Sequence, residues 1–206
     1  MNLSLELLLQ LTIILPLLAT LAIVATGKHP NLREAVTISF SLAVLFCVVN
    51  LYQGLSAGAS IEVFWWQLLP GLEVSFVVEP LGMLFALIAS FLWLITTLYA
   101  IGYMRGHGED NQTRFYLCFA LAISAVMGLA FSANLFTLFI FYEVLTLSTY
   151  PLVTHAGTEK AKQGGRVYLG ILLGTSIAFF LLAIILTWFV AGTLDFTAGG
   201  VFGIMS

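Results

Sequence analysis

The chain has 206 residues, 61% of them hydrophobic and only 8% charged, with a net charge of −3 and a mean hydropathy of +1.07. A soluble domain carries about 25% charged residues; so few charges cannot cover a surface in water, and the solvent has to be lipid. No basic patch interleaved with aromatics suits nucleic acid, and no GxxxxGKS/T, HExxH or CxxC motif is present to build a soluble catalytic domain or to hold a metal or cofactor.

A spanning helix needs roughly 20 mostly apolar residues. Six segments qualify, at about 6–26, 35–55, 80–102, 113–131, 134–154 and 167–192. In hydrocarbon the backbone has to satisfy its own hydrogen bonds, and these runs are apolar on both parities, so helices rather than barrel strands are expected. The fold class is therefore all-α: a polytopic membrane bundle of six transmembrane helices forming a single domain over 1–206. The first segment lacks a basic region before it and a small-residue cleavage site after it, so it reads as a retained helix and not as a signal peptide. Cys47 and Cys118 each lie inside an apolar run and read as buried thiols.

All seven basic residues fall between alternate spans. Lys28 and Arg33 follow the first, Arg105 and Arg114 the third, and Lys160, Lys162 and Arg166 the fifth. The positive-inside rule assigns that face to the cytoplasm, which places both termini on the outer side. The outer connection 56–79 contains IEVFWWQ and LEVSFVV around Leu-Pro-Gly, a pattern that fits a short hairpin lying on the membrane, with Trp65 and Trp66 at the interface. Its acids Glu62, Glu73 and Glu79 read either as an ion-collecting funnel or, more simply, as a solvated loop.

The fifth segment holds one acid, Glu143, near its middle; the flanking charges are Arg114 and Glu159. An ionised carboxylate at that depth costs about 2.5–3.5 kcal/mol on insertion scales. Burial favours its neutral form and a nearby cation its charged form, so the position suits a proton-binding group. The alternative is a neutral glutamate that bonds a neighbouring helix and transports nothing. Thr146 and Tyr150 share its helix face, Ser148 and Thr149 are close by, and Pro151 leaves the Leu147 carbonyl without its usual amide. These groups could ligate water along a path, or the hydroxyls could bond back to their own helix. His155, at the basic end, is of the residue type that titrates near neutral pH and reads as a relay or as a helix cap. His29 and His107 fall among the basic residues, and Gly170, Gly174, Thr175 and Ser176 form a small-residue face suited to close helix packing.

The run TRFYLCFALAISAVMGLAFSANLFTLFIFYEVLTLSTYPLVTHAGTEKAKQGGRVYLGILLGTS resembles the antiporter-like membrane subunits of complex I, energy-converting hydrogenases and Mrp cation/proton antiporters, and is nearest the D-type branch of the Mrp antiporters. VEPLGMLFALIASFLWLITTLYAIGYM resembles the segment that precedes it, with Glu79 where the family usually has aspartate. The resemblance implies a plasma-membrane subunit of a complex that translocates protons or exchanges Na+ for H+. It also implies that Glu143 is the essential protonatable group of the fifth helix. In the family that acid pairs with a lysine on a broken seventh helix. This sequence has no lysine within a span, so it reads as the N-terminal part of such a subunit, split or truncated, with the lysine-bearing helix supplied by a partner. A packing subunit without transport, or a six-helix carrier that oligomerises, are the competing expectations.

Overall fold

The computed structural model describes residues 4–69, 71–197 and 199–200. Pro70 of the expected turn and the two chain ends, whose side of the membrane was expected to be the outer one, lie outside the described residues. Among the described residues, six helices are long and apolar enough to cross a membrane. The first, α1 (Leu5–Ala25), starts from Ser4, whose hydroxyl accepts from the Leu7 amide at 3.2 Å and satisfies one of the helix's free donors. α2 (Pro30–Ser56) and α3 (Pro80–His107) both open on proline, where the missing N–H has no partner to lose. α4 (Gln112–Ala130) and α5 (Leu135–Val153) follow. The last span is one rod of 33 residues, built from α6 (Glu159–Thr175), a π-helical stretch (Ser176–Leu181) and α7 (Leu182–Ala191).

Three helices run further than their apolar stretches. α2 begins at Pro30, α3 continues to His107 and α6 begins at Glu159. The added turns carry Arg33, Arg105, Lys160, Lys162 and Arg166, so most of the basic residues expected in loops are helical; Lys28 alone of the seven stays in a turn. A hydropathy window stops at the first charges, whereas helical hydrogen bonding continues through them into the headgroup region.

α1 packs against α2 and α4, α3 against α2 and α4, and α5 bridges from α4 to α6. Leu9, Ile13, Ala19, Ile23, Val44, Val48, Leu51 and Met127 are completely enclosed. One hydrogen bond crosses this core, from the Ser124 hydroxyl to the Ile13 carbonyl at 2.7 Å, close to Pro16 inside α1. Gly128 of α4 lies under the Phe141 ring of α5; a methyl there would overlap the ring, so glycine lets the two helices approach.

The hairpin expected within 56–79 forms, as β1 (Glu62–Leu69) paired antiparallel with β2 (Leu72–Val77). It packs onto the bundle: Val63, Val74 and Phe76 are buried, with Ile61 and Val78 beside them. Trp65 turns inward, edge-on to Phe76 with ring centroids 4.7 Å apart, while Trp66 remains half exposed. Consecutive strand residues face opposite sides, which gives the two tryptophans different environments; the pairing is irregular between Phe64 and Trp66. The hairpin marks one end of the bundle and the basic residues mark the other.

Candidate functional site

Glu143 is the ninth of the nineteen residues of α5. Helix α5 starts at Asn134, whose side-chain oxygen accepts from the Thr137 amide at 2.8 Å. Glu143 is half-buried. Its Oε1 is shut away from solvent and accepts no hydrogen bond among the described residues. A buried acceptor left unpaired is costly, and most such groups in folded proteins have partners. The flanking aromatics fix how the helix is turned: Phe139 and Tyr142 both meet Phe180 edge-on, at 5.6 and 5.9 Å, and Phe180 lies in the π-helical stretch.

The hydroxyls around Glu143 are occupied within α5. Thr146 donates to the Tyr142 carbonyl at 3.0 Å, Ser148 to Leu145 at 2.8 Å and Thr149 to Thr146 at 2.9 Å. Thr146 and Ser148 are buried, and Tyr150 packs near Gly165 of α6. Each hydroxyl keeps its lone pairs free to accept, but their protons are committed to the helix in this conformation.

His155 lies just past the end of α5, and neither of its ring nitrogens has a partner among the described residues. Its carbonyl accepts from Arg114 Nη2 at 3.0 Å, which ties the end of α5 to the start of α4. The ring also borders a cleft of about 460 Å³ between α3 and α5, lined by Tyr99, Tyr103, Phe115, Leu152 and Glu109. Of the other histidines, His29 precedes the first turn of α2 without a side-chain capping bond, and His107 stacks on Tyr103 in the last turn of α3.

At the hairpin end, Glu62, Glu73 and Glu79 line one cleft of about 540 Å³, joined by Asp195 from the segment after α7. Asp195 is 116 residues from Glu79 in the chain, and nothing local in the sequence connects it to the others. Of the small-residue face of the sixth span, Ser176 is buried, while Gly170, Gly174 and Thr175 turn away from the bundle. Gly170 and Gly174 are exposed, and a methyl at either would touch nothing within 4 Å among the described residues, so their close-packing partner is not one of the chain's described helices.

A buried charged cluster at the basic end was not foreseen. Arg33 and Glu34 are 4% and 5% exposed. Glu34 receives Arg105 at both oxygens, Nε at 2.9 Å and Nη2 at 2.5 Å, and Arg33 Nη2 at 3.5 Å. Arg33 also donates to Gln112 at 2.8 Å and Thr113 at 3.0 Å, and its guanidinium lies 5.1 Å from the centre of the Tyr116 ring. The adjacent Arg33-Glu34 pair at a helix start was the available signal; taken as loop charges, these residues gave no hint of burial.

Comparison with known proteins places these features in context. The family described as "NADH-Ubiquinone oxidoreductase (complex I), chain 5 N-terminus" matches residues 66–116, and "NADH:quinone oxidoreductase/Mrp antiporter, TM" matches residues 132–202. Together the two matches cover more than half of the chain. A Staphylococcus haemolyticus (strain JCSC1435) chain named for an antiporter, subunit mnhD2, is 28% identical over 196 residues, covering 92% of this chain and 38% of that one. The D-type Na(+)/H(+) antiporter subunit of Alkalihalophilus pseudofirmus is 23% identical over 190 residues, covering 90% and 37%. A chain of the Mrp complex from Dietzia sp. DQ12-45-1b shares the fold, with a TM-score of 0.75 at 24% identity over 94% of this chain and 36% of that one. This chain thus spans less than two fifths of the length of these relatives.

Proposed function

Because the chain belongs to the antiporter-like membrane subunit family of complex I and Mrp antiporters, we propose that it forms part of a multi-subunit complex that moves protons, or exchanges Na+ for protons, across the plasma membrane. Glu143 is the group that exchanges the proton. The observation carrying this reading is the carboxylate oxygen in mid-helix that is shielded from solvent and unpaired among the described residues. An acid in that position is functional by default, and a shielded acceptor without a partner is what a proton or an approaching cation would occupy.

The cation is a lysine on a helix supplied from outside the described residues, seated against α5 and α6. Its approach stabilises the carboxylate and releases the proton; its withdrawal favours the neutral acid again. The exposed glycine face of α6 leaves room for a helix to come close. The proton reaches Glu143 along α5 from the basic, cytoplasmic end. His155 takes it up beside its cleft, and Tyr150, Thr149, Ser148 and Thr146 provide hydroxyls on the way. That path spans about 18 Å at 1.5 Å per residue, so water has to join it.

The test is ion flux in membrane vesicles, normalised to assembled complex. Glu143→Gln keeps the size and most hydrogen bonding and removes the exchangeable charge; it should assemble normally and lose most translocation. Glu143→Asp, with the charge on a shorter arm, should retain some. Full flux from the Gln variant removes Glu143 from the mechanism and leaves a packing role for this part of the complex.

A further inference from the structure

We propose that Asn134 and Thr137 are positioning residues for Glu143: they bolt the first turn of α5 to the hairpin and so hold the acid in its shielded seat. This inference rests on the reading of Glu143 as the proton-exchanging group, but its geometry stands apart from that reading. Asn134 is 2% exposed and Thr137 is 0% exposed, although both lie at the hairpin end of the bundle, where polar side chains ordinarily face water.

The Asn134 side-chain amide donates to the Glu73 carbonyl at 3.1 Å and to the Ser75 hydroxyl at 2.9 Å, while its oxygen caps α5. The Thr137 hydroxyl donates to the same Glu73 carbonyl at 3.2 Å and accepts from the Ser75 amide at 3.2 Å. Main-chain bonds surround this knot. Ala133 N–H donates to Ser75 at 3.0 Å, Val77 N–H to Phe131 at 2.8 Å, Leu135 N–H to Leu194 at 3.0 Å and Phe196 N–H to Ala133 at 3.1 Å. Strand β2, the α4–α5 connection and the segment after α7 are thereby joined by isolated bridges, Phe76 with Ser132 and Asn134 with Asp195, around the start of α5.

Capping α5 needs only the Asn134 oxygen. The two amide donors and the Thr137 hydroxyl do something else, which is to fix the depth and turn of α5 against the hairpin. From that anchor the helix runs six residues from Thr137 to Glu143. In between it meets two further constraints on its rotation: the Phe180 ring against Phe139 and Tyr142, and the Phe141 ring against Gly128 of α4 and Phe76 of β2. A fully satisfied buried polar knot rigidifies what it joins, and a rigid first turn transmits its placement along the helix.

The substitutions separate the two roles. Asn134→Asp keeps the capping oxygen and loses both donors to the hairpin. Thr137→Val keeps the shape and loses both hydroxyl bonds, whereas Thr137→Ser keeps them. All are made in the chain as it sits in its native membrane and are compared at equal assembled amounts. Two readouts are taken: oxygen accessibility of a nitroxide attached at Glu143→Cys, and modification of native Glu143 by a lipid-soluble carbodiimide. Asn134→Asp and Thr137→Val should shift the nitroxide's accessibility. They should also speed carbodiimide modification roughly fivefold, the order that one hydrogen bond contributes to an equilibrium. Thr137→Ser should match the unaltered chain in both. If Thr137→Val does not assemble, Asn134→Asp carries the test. Unchanged accessibility in the Asp variant, or in both variants, overturns the proposal. A nitroxide that shifts while the carbodiimide never modifies Glu143, even in the unaltered chain, upholds the seat and defeats the proton-exchange reading instead.

Discussion

Replacing Glu34 by glutamine tests whether the charged cluster at the basic end holds the bundle together. Glu34 is the only acid in the cluster, and it faces a buried Arg33 and a half-exposed Arg105. Glutamine keeps the shape and can still accept one bond, but the guanidinium of Arg33 then remains enclosed without a counter-charge. Breaking a buried pair in this way costs about 3–5 kcal/mol. Arg33 retains its bonds to Gln112 and Thr113 and the face of Tyr116, so the expected loss lies near the bottom of that range, about 3 kcal/mol. The measurement is reversible unfolding of the purified chain in mixed micelles as the fraction of SDS is raised, followed by tryptophan fluorescence. Exchanging Arg33 and Glu34 together for leucine should recover most of the loss, because it removes the enclosed charge along with its partner. A Glu34→Gln variant within about 0.5 kcal/mol of the unaltered chain, the range of ordinary surface substitutions, would refute the reasoning.

Two further outcomes follow. Ser124→Ala removes the hydroxyl that bridges α4 to the Ile13 carbonyl; in the same unfolding assay it should cost about 0.6 kcal/mol, the average for interhelical hydrogen bonds in membranes, and no more than about 1.7 kcal/mol. The charge pattern predicts that single cysteines at Ser60, Asp110 and Gln163 divide between the two sides of the membrane, with position 60 labelled from outside and positions 110 and 163 from inside. Labelling of 60 and 163 from the same side would contradict the six-span arrangement.

The number of spans, their approximate places and the hairpin were legible because each rests on a local pattern: long apolar runs for the helices, and partial alternation around a turn for the strands. Helix ends were less so. The charges at Arg33, Arg105 and Lys160 interrupt hydropathy without interrupting the helix. Glu143 stands out in sequence because a lone acid in an apolar run conflicts with its surroundings. What it meets depends on residues such as Phe180, 37 positions later, which no local pattern connects to it. The same holds for Asn134 and Thr137. In the sequence neither residue stands out; they become a knot only when Glu73 and Ser75, about sixty residues earlier, fold over them. Likewise the hydroxyls beside Glu143 were read as either a path or back-bonds, and in this conformation their protons go to their own helix.

The distribution of burial bears directly on how the acid works. α1 and α4 are the most enclosed of the six spans, and α5 and the α6–α7 rod the least. Leu147, Val153, Ile171, Phe179, Leu186 and Phe189 all turn large apolar surfaces outward from these last two. The acid is therefore carried by one of the two least enclosed spans, packed on α4 but open on its other side, and held at the hairpin end by Asn134 and Thr137 and at the basic end by the Arg114 bond to His155. Lipid against this face would leave the half-buried Glu143 carboxyl with apolar neighbours and no proton donor, the costliest arrangement for a carboxylate. A polar or cationic group brought to the same face would supply the missing bond, and the free energy gained would rise and fall with its approach. On the proposed reading of Glu143, a helix pinned at both ends and open along one side would let that approach change the protonation of the acid without moving the helix that carries it.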